Sequence, residues 1–175
     1  MNNIIFSHGN GFPASTYRCF TNDLNRRGFQ VASIEKFGHD ARYPVTSNWP
    51  FLVQELADFA KVIHHETGEK PFLIGHSLGG LLSLMCASKH PHLTAGVVLL
   101  DSPVVGGWKA SALQLAKKTN WIGSVSPGRI SKSRRQHWPH IEAVIEHFQH
   151  KRAFSHWHPD ALRDYAEFGT MEENG

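Results

Sequence analysis

The sequence predicts an α/β fold whose core is a parallel sheet with crossover helices. Short apolar runs alternate with amphipathic stretches of helical length, and Gly, Pro, Asp or Asn residues bound each run. After residue 105 the alternation stops, and Trp, His and basic residues occur in helix-like stretches without another strand-like run. We therefore expect a sheet core over residues 1–105 and a helical cap, or lid, over residues 106–175.

Four apolar runs are short enough to be strands buried on both faces, and they cover residues 3–7, 30–34, 71–75 and 95–100. Apolar residues at helical spacing predict helices between and after these strands, over residues 15–27, 50–66 and 77–89. In the cap region we expect helices over residues 108–119, 138–151 and 159–167. Pro139 and Pro159 suit the first turns of the last two helices.

The composition is that of an ordinary globular domain, since 41% of the 175 residues are hydrophobic and 19% are charged. The net charge of +3 is small, and we interpret the basic cluster of Arg129, Lys132, Arg134 and Arg135 as a solvated loop. We therefore expect neither a nucleic-acid partner nor a membrane partner.

The two cysteines, Cys19 and Cys86, have no redox or metal-binding spacing, and no stretch approaches the roughly 18 apolar residues of a membrane span. The N-terminus also lacks the pattern of a secretory signal. These observations predict a soluble cytoplasmic protein with reduced thiols.

A serine nucleophile is predicted at Ser77, in the pattern Gly75, His76, Ser77, Leu78, Gly79. The pattern follows a predicted strand and opens a predicted helix, which is the sharp turn that exposes a hydrolytic serine at the edge of a sheet. The two glycines leave room for a strained turn and for close packing of the helix. The alternative is a Gly-rich turn with a capping serine.

The segment His-Gly-Asn-Gly-Phe-Pro, residues 8–13, directly follows the first predicted strand. Its backbone N–H groups can point at a developing oxyanion, so we expect the N–H groups of Asn10 and Leu78 to form an oxyanion hole. Taken alone, this segment is only a glycine-rich turn.

These motifs resemble those of the α/β-hydrolase superfamily, in the subgroup with HG-containing oxyanion loops and a GHSLGG or GHSMGG elbow. The resemblance covers residues 3–103 and implies that Ser77 is the nucleophile and that Asn10 and Leu78 line the oxyanion hole. It also implies that His8 and His76 serve in hydrogen bonding and packing near the pocket. His39 lies where members of the superfamily often place a loop that borders the pocket, and the alternative is a simple polar turn.

The sequence departs from this pattern at its C-terminal end, because two further strands, which usually deliver the acid and the histidine, are absent. The expected core is thus C-terminally incomplete, and a serine without a base is a weak nucleophile. Asp101 follows the fourth predicted strand and is a candidate triad acid. The alternative is an Asp that opens the turn into the cap.

The cap region offers candidate bases, with surface exposure or cap packing as the alternative: His137, His140, His147, His150, His156 and His158. The pairs His147 with His150 and His156 with His158 can each bind a metal in principle. Neither pair is completed by a carboxylate and histidine set at ligand spacing, so we expect no metal and no cofactor.

The first functional hypothesis is a serine hydrolase that acts on a small carboxylic ester or a related acyl compound through an acyl-enzyme. The cap would supply an apolar pocket lining, or simply a core, from Trp108, Trp121, Trp138 and Phe148. The alternative is a catalytically incomplete, truncated hydrolase or a non-catalytic binding module, with a homodimer formed through an exposed sheet edge. The same scaffold also supports acyl transfer, perhydrolysis and carbon–carbon bond cleavage.

Overall fold

A computed structural model describes residues 2–104, 135 and 137–172 of the chain. Its four strands, all parallel, are β1 (Asn3–Ser7), β2 (Gln30–Ser33), β3 (Phe72–His76) and β4 (Gly96–Leu100). They lie in the order β2-β1-β3-β4, so the strands that precede the oxyanion loop and the elbow are neighbours. The predicted parallel sheet is confirmed, with strand ends shifted by about one residue.

The helices are α1 (Arg18–Arg26), α2 (Pro50–Thr67), α3 (Leu78–Lys89), α4 (Ile141–Gln149) and α5 (Pro159–Gly169). The first predicted helix is divided, because a 3-10 turn at Ala14–Tyr17 precedes α1. The carbonyl of Pro13 causes this by accepting both the N–H and the hydroxyl of Thr16. The predicted cap helix over residues 108–119 lies outside the described residues.

Pro159 is the first residue of α5, as predicted, whereas the prediction that Pro139 lies in the first turn of its helix is wrong. α4 begins at Ile141, after His140, whose side chain accepts the N–H of Ala143. A side-chain cap at residue 140 therefore fixes the start of the helix beyond the proline.

The main hydrophobic core lies between the sheet and the helices α2 and α3. Its fully or almost fully buried members include Ile5, Leu56, Leu73 and Leu82, and each contributes roughly 1.5–3 kcal/mol of burial free energy. A smaller cluster in the cap region joins α4 to α5 through Val144, Phe148, Leu162 and Ala166. None of the helices in the described ranges is long and apolar enough to cross a membrane.

The expectation that every strand is buried on both faces is correct for β1 and wrong for β4. All five residues of β1 are buried, whereas Val98 and Leu99 of β4 are 42% and 37% exposed. β4 is an edge strand in the described part of the chain, so neighbouring elements cover less of its surface.

Asp164 of α5 joins the cap region to the core. Its Oδ2 accepts the N–H of Cys19 at 2.6 Å, and its Oδ1 accepts from the guanidinium of Arg18 at 2.9 Å. This carboxylate is only 3% exposed, and its hydrogen bonds offset the cost of burying its charge. α5 is thus fixed against α1.

Candidate active site

Ser77 lies at a strained turn between β3 and α3. Its φ of 52° and ψ of −115° lie in a sparsely populated region for a residue with a side chain, at a cost on the order of 1–3 kcal/mol. Its N–H donates to the carbonyl of Leu100 at the end of β4, at 3.0 Å. The turn is therefore held from the neighbouring strand, at the carboxyl edge of the sheet.

Three glycines allow the close packing of this turn. A Cβ at Gly75 would overlap the backbone of Gly79, and a Cβ at Gly80 would overlap the side chain of Ser102. A Cβ at Gly79 would overlap the carbonyl oxygen of Ser7 and lie 2.6 Å from that of His8. The first turn of α3 is therefore seated directly against the end of β1.

The loop after β1 begins beside that first turn. The N–H of Phe12 donates to the carbonyl of Gly9 at 3.2 Å, and Gly11 has a φ of 75°, which together form a tight turn with the exposed Asn10 near its tip. Leu78 is the first residue of α3, where backbone N–H groups lack a carbonyl partner within the helix. The two predicted oxyanion donors thus belong to adjoining segments.

Tyr17 joins the loop to the turn at Ser77. Its hydroxyl accepts the N–H of Gly9 at 3.1 Å and lies 2.7 Å from Nδ1 of His76. Burial raises the pKa of the Tyr17 hydroxyl, which keeps the group a neutral phenol. His76 is thereby held in a hydrogen bond on the face of the sheet that carries α1.

His8 is buried, and both of its ring nitrogens are engaged with backbone groups. Nδ1 donates to the carbonyl of Gly9 at 2.9 Å, while Nε2 accepts the N–H of Phe37 at 3.1 Å. These bonds require the neutral ring, and burial lowers the pKa of His8. The residue positions the loop and has no nitrogen left to contact Ser77.

His39 is exposed and lies in a loop that is hydrogen-bonded to Glu55 of α2. A carboxylate oxygen of Glu55 accepts the N–H of Gly38 at 3.0 Å. Glu55 is buried, and that burial raises its pKa, opposed by the hydrogen bond from Gly38. No sequence motif marks Glu55, although an acidic residue three positions after Leu52 on a core-facing helix is a usable signal.

Asp101 directly follows β4, at the same edge of the sheet as Ser77. It is exposed and has a positive φ of 45°, and within the described ranges its carboxylate accepts no hydrogen bond. The adjacent Ser102 donates to the carbonyl of Leu100 at 3.2 Å. Asp101 is therefore near the nucleophile in the fold without orienting any described histidine.

The hydroxyl of Ser77 is not hydrogen-bonded to an imidazole in the part of the chain that the structure describes. Among the histidines of the cap region, His140 and His158 cap α4 and α5, and His147 packs against Phe148. None of the described contacts supplies the general base that the reaction requires.

An apolar cavity of about 390 Å³ lies between the core and the cap region. It borders the elbow through His76 and Leu100, and it is also lined by Phe6, Phe12, Thr16, Tyr17, Cys19, Phe20, Trp157, Ala161 and Tyr165. Trp138 and Phe148, which were considered for the lining, pack in the cap cluster instead. Trp108 and Trp121 lie outside the described residues.

Comparison with known proteins gives a match to the family described as serine aminopeptidase, S33, over residues 2–158. Monoglyceride lipase of Rattus norvegicus is 30% identical over 138 residues, which cover 74% of this chain and 46% of that protein. A putative non-heme haloperoxidase of Mycobacterium phage D29 is 26% identical over 125 residues, 66% of this chain and 44% of that protein. The chain thus spans about half the length of these relatives.

Two solved structures share the fold. E-2-(acetamidomethylene)succinate hydrolase has a TM-score of 0.68 at 22% identity, covering 98% of this chain and 58% of that one. The thioesterase domain from the curacin biosynthetic pathway has a TM-score of 0.63 at 18% identity, covering 99% of this chain and 61% of that one. With the family match over most of its length, the chain belongs to the serine aminopeptidase S33 family of the α/β-hydrolase superfamily.

Proposed function

We propose that this chain is a serine hydrolase that cleaves a carboxylic ester through an acyl-enzyme formed on Ser77. The observation that carries the proposal is the backbone of Ser77, a non-glycine residue at positive φ between a strand and a helix. Strain of this kind persists only where the surroundings enforce it, and here the carbonyl of Leu100 holds the N–H of Ser77 while Gly75, Gly79 and Gly80 leave room for the turn.

In the proposed reaction the Oγ of Ser77 attacks the ester carbonyl, and its proton passes to a base. The N–H groups of Asn10 and Leu78 stabilise the oxyanion of the tetrahedral intermediate. The intermediate collapses to an acyl-serine as the base gives the proton to the leaving alcohol. Water then attacks the acyl-serine and releases the acid. No cofactor takes part in these steps.

The substrate we favour is a small ester with an apolar acyl group. The cavity beside His76 and Leu100 is lined mainly by apolar side chains, and its size suits a small ligand. The relatives named monoglyceride lipase make glycerol monoesters the first natural class to test. Acyl transfer, perhydrolysis and carbon–carbon bond cleavage are the other reactions to assay on the same scaffold.

A second candidate function is favoured because, within the described ranges, no imidazole is hydrogen-bonded to the hydroxyl of Ser77. A chain with an elbow but no base would be catalytically incomplete and would act as a binding module for apolar acyl compounds.

Release of p-nitrophenol from p-nitrophenyl acetate and butyrate separates the two functions when the chain is compared with Ser77→Ala. If the chain is a serine hydrolase, the parent turns over the ester, and in Ser77→Ala the rate falls to the background of histidine-catalysed hydrolysis. Equal, slow rates from both proteins would reject the hydrolase and favour the binding module.

A further inference from the structure

Three metal-binding side chains meet where α1 and α5 pack together. They are Cys19 of α1, His158 before α5 and Asp160 in its first turn, and their ligand atoms all lie within 4.8 Å of one another. We propose that they form a binding site for a divalent transition-metal ion of the Zn²⁺ class, separate from Ser77.

The distances are close to those that such an ion needs. A tetrahedral Zn²⁺ with ligands at about 2.0–2.3 Å holds the ligand atoms about 3.3–3.8 Å apart. His158 and Asp160 are exposed, so small side-chain rotations close the remaining gap without displacing the core.

The donor set suits a borderline-soft cation. A thiolate, an imidazole and a carboxylate favour Zn²⁺ over Mg²⁺ or Ca²⁺, which prefer oxygen ligands only. The two anionic ligands would neutralise the charge of the ion. Three protein ligands also leave the fourth position to water.

Asp164 positions the cysteine of this site. It accepts the N–H of Cys19 and so holds this part of α1 against α5. Support of this kind is typical of metal sites, where groups behind the ligands set their orientation. The Nδ1 of His158 accepts the N–H of Asp160 at 3.3 Å, and the ion would take the place of this N–H at the Nδ1 lone pair.

An ion at this site would tie the cap region to the core beside the apolar cavity. Cys19 lines the cavity, and so do Trp157 and Ala161, which flank the other two ligands in sequence. Spacing along the chain does not indicate this site, because Cys19 is distant from His158 and Asp160 in the sequence.

Cobalt(II) titration of the chelator-treated chain tests the proposal, because a thiolate ligand gives a charge-transfer absorption in the near ultraviolet. We expect saturation at one ion per chain and reversal of the band by Zn²⁺. Cys19→Ser must abolish the band, and His158→Ala must weaken binding about tenfold or more, since even the loss of a supporting group costs that much. His156→Ala, an exposed neighbour outside the cluster, is the matched control and must bind like the parent chain.

A zinc-dependent rise in the melting temperature of the parent, lost in Cys19→Ser, is the second expected result. Circular dichroism verifies that each variant folds. If Cys19→Ser does not fold, His158→Ala is the decisive variant, because His158 is exposed. No charge-transfer band at stoichiometric cobalt, or equal binding by His158→Ala and His156→Ala, would overturn the proposal. This outcome is independent of ester hydrolysis at Ser77.

Discussion

The Tyr17 hydroxyl lies 2.7 Å from Nδ1 of His76, and this contact connects the two segments of the candidate active site. The same hydroxyl accepts the N–H of Gly9, the residue before Asn10 in the loop. A Cβ at Gly9 would lie 2.9 Å from Nδ1 of His76 and 3.0 Å from the hydroxyl, so a glycine is needed for this approach. One phenol thus links the loop to the elbow by hydrogen bonds.

Tyr17→Phe tests this dependence. The substitution leaves the buried N–H of Gly9 without an acceptor, so we expect the free energy of unfolding to fall by about 1–3 kcal/mol. We also expect slower ester hydrolysis, because Asn10 is no longer held beside the turn. Urea unfolding and p-nitrophenyl butyrate hydrolysis are the measurements.

The matched control is Tyr43→Phe, which removes a hydroxyl that donates to Asp58 away from the site. This variant must retain the parent rate of ester hydrolysis. Equal rates for Tyr17→Phe and the parent would show that the phenol does not position the loop.

Gly79→Ala tests the close packing of the first turn of α3 against the end of β1. The new methyl group would overlap the carbonyl oxygen of Ser7, and such overpacking costs at least about 1–3 kcal/mol. Gly169→Ala is the control, because its nearest side-chain atoms are 3.8 Å away and no strain arises. Thermal unfolding must separate the two variants, and an unchanged melting temperature for Gly79→Ala would contradict the packing described.

The turn at Ser77 was predictable from sequence because it depends on neighbouring residues. An apolar run, two glycines and an apolar helix face lie within residues 71–89, so local propensity already determines strand, turn and helix. The strand extends one residue beyond the predicted end, because His76 still pairs with Leu100 of β4. No feature of the neighbouring sequence predicts that pairing.

The contacts around the turn were not predictable in this way. Tyr17 and His76 are 59 residues apart, and the sequence predicts only that Tyr17 lies in the helix expected over residues 15–27. A buried tyrosine usually finds a partner for its hydroxyl, yet which partner depends on the order of the strands. The partners of the two His8 ring hydrogen bonds could not be predicted for the same reason, because they also depend on the fold.

The stability of the chain should fall on mild acidification because of His8. Burial lowers the pKa of this imidazole from its usual 6.5, so below that value the unfolded chain binds a proton that the folded chain does not. The stabilisation is thus complete above the unfolded pKa and is lost as the pH falls toward the folded pKa. We expect a lower urea midpoint at about pH 5.5 than at about pH 7.5.

His8→Gln should reduce this difference, since an amide oxygen can accept the N–H of Phe37 without titrating. The exposed His156→Gln, whose charge is not among the causes of the His8 shift, is the control and should keep the pH dependence of the parent. If the two variants respond to pH alike, His8 is not the group responsible.

We propose that two copies of the chain pair as a homodimer through the edge strand β4. Val98 and Leu99 are exposed on it, and no described strand pairs with its outer edge. Val98→Lys should therefore lower the dimer fraction in sedimentation velocity. Val62→Lys, at a comparably exposed position on α2, should leave it unchanged. A parent chain that sediments as a monomer at every concentration would reject the dimer.

The most direct test of Ser77 as the nucleophile is covalent labelling with a fluorophosphonate, followed by peptide mapping. We expect one label per chain, on the peptide that contains Ser77, and none in Ser77→Ala. Ser83 and Ser102 serve as internal controls, because their hydroxyls donate to backbone carbonyls and they should remain unlabelled. Labelling at another serine, or no label on the folded chain, would contradict the assignment of Ser77.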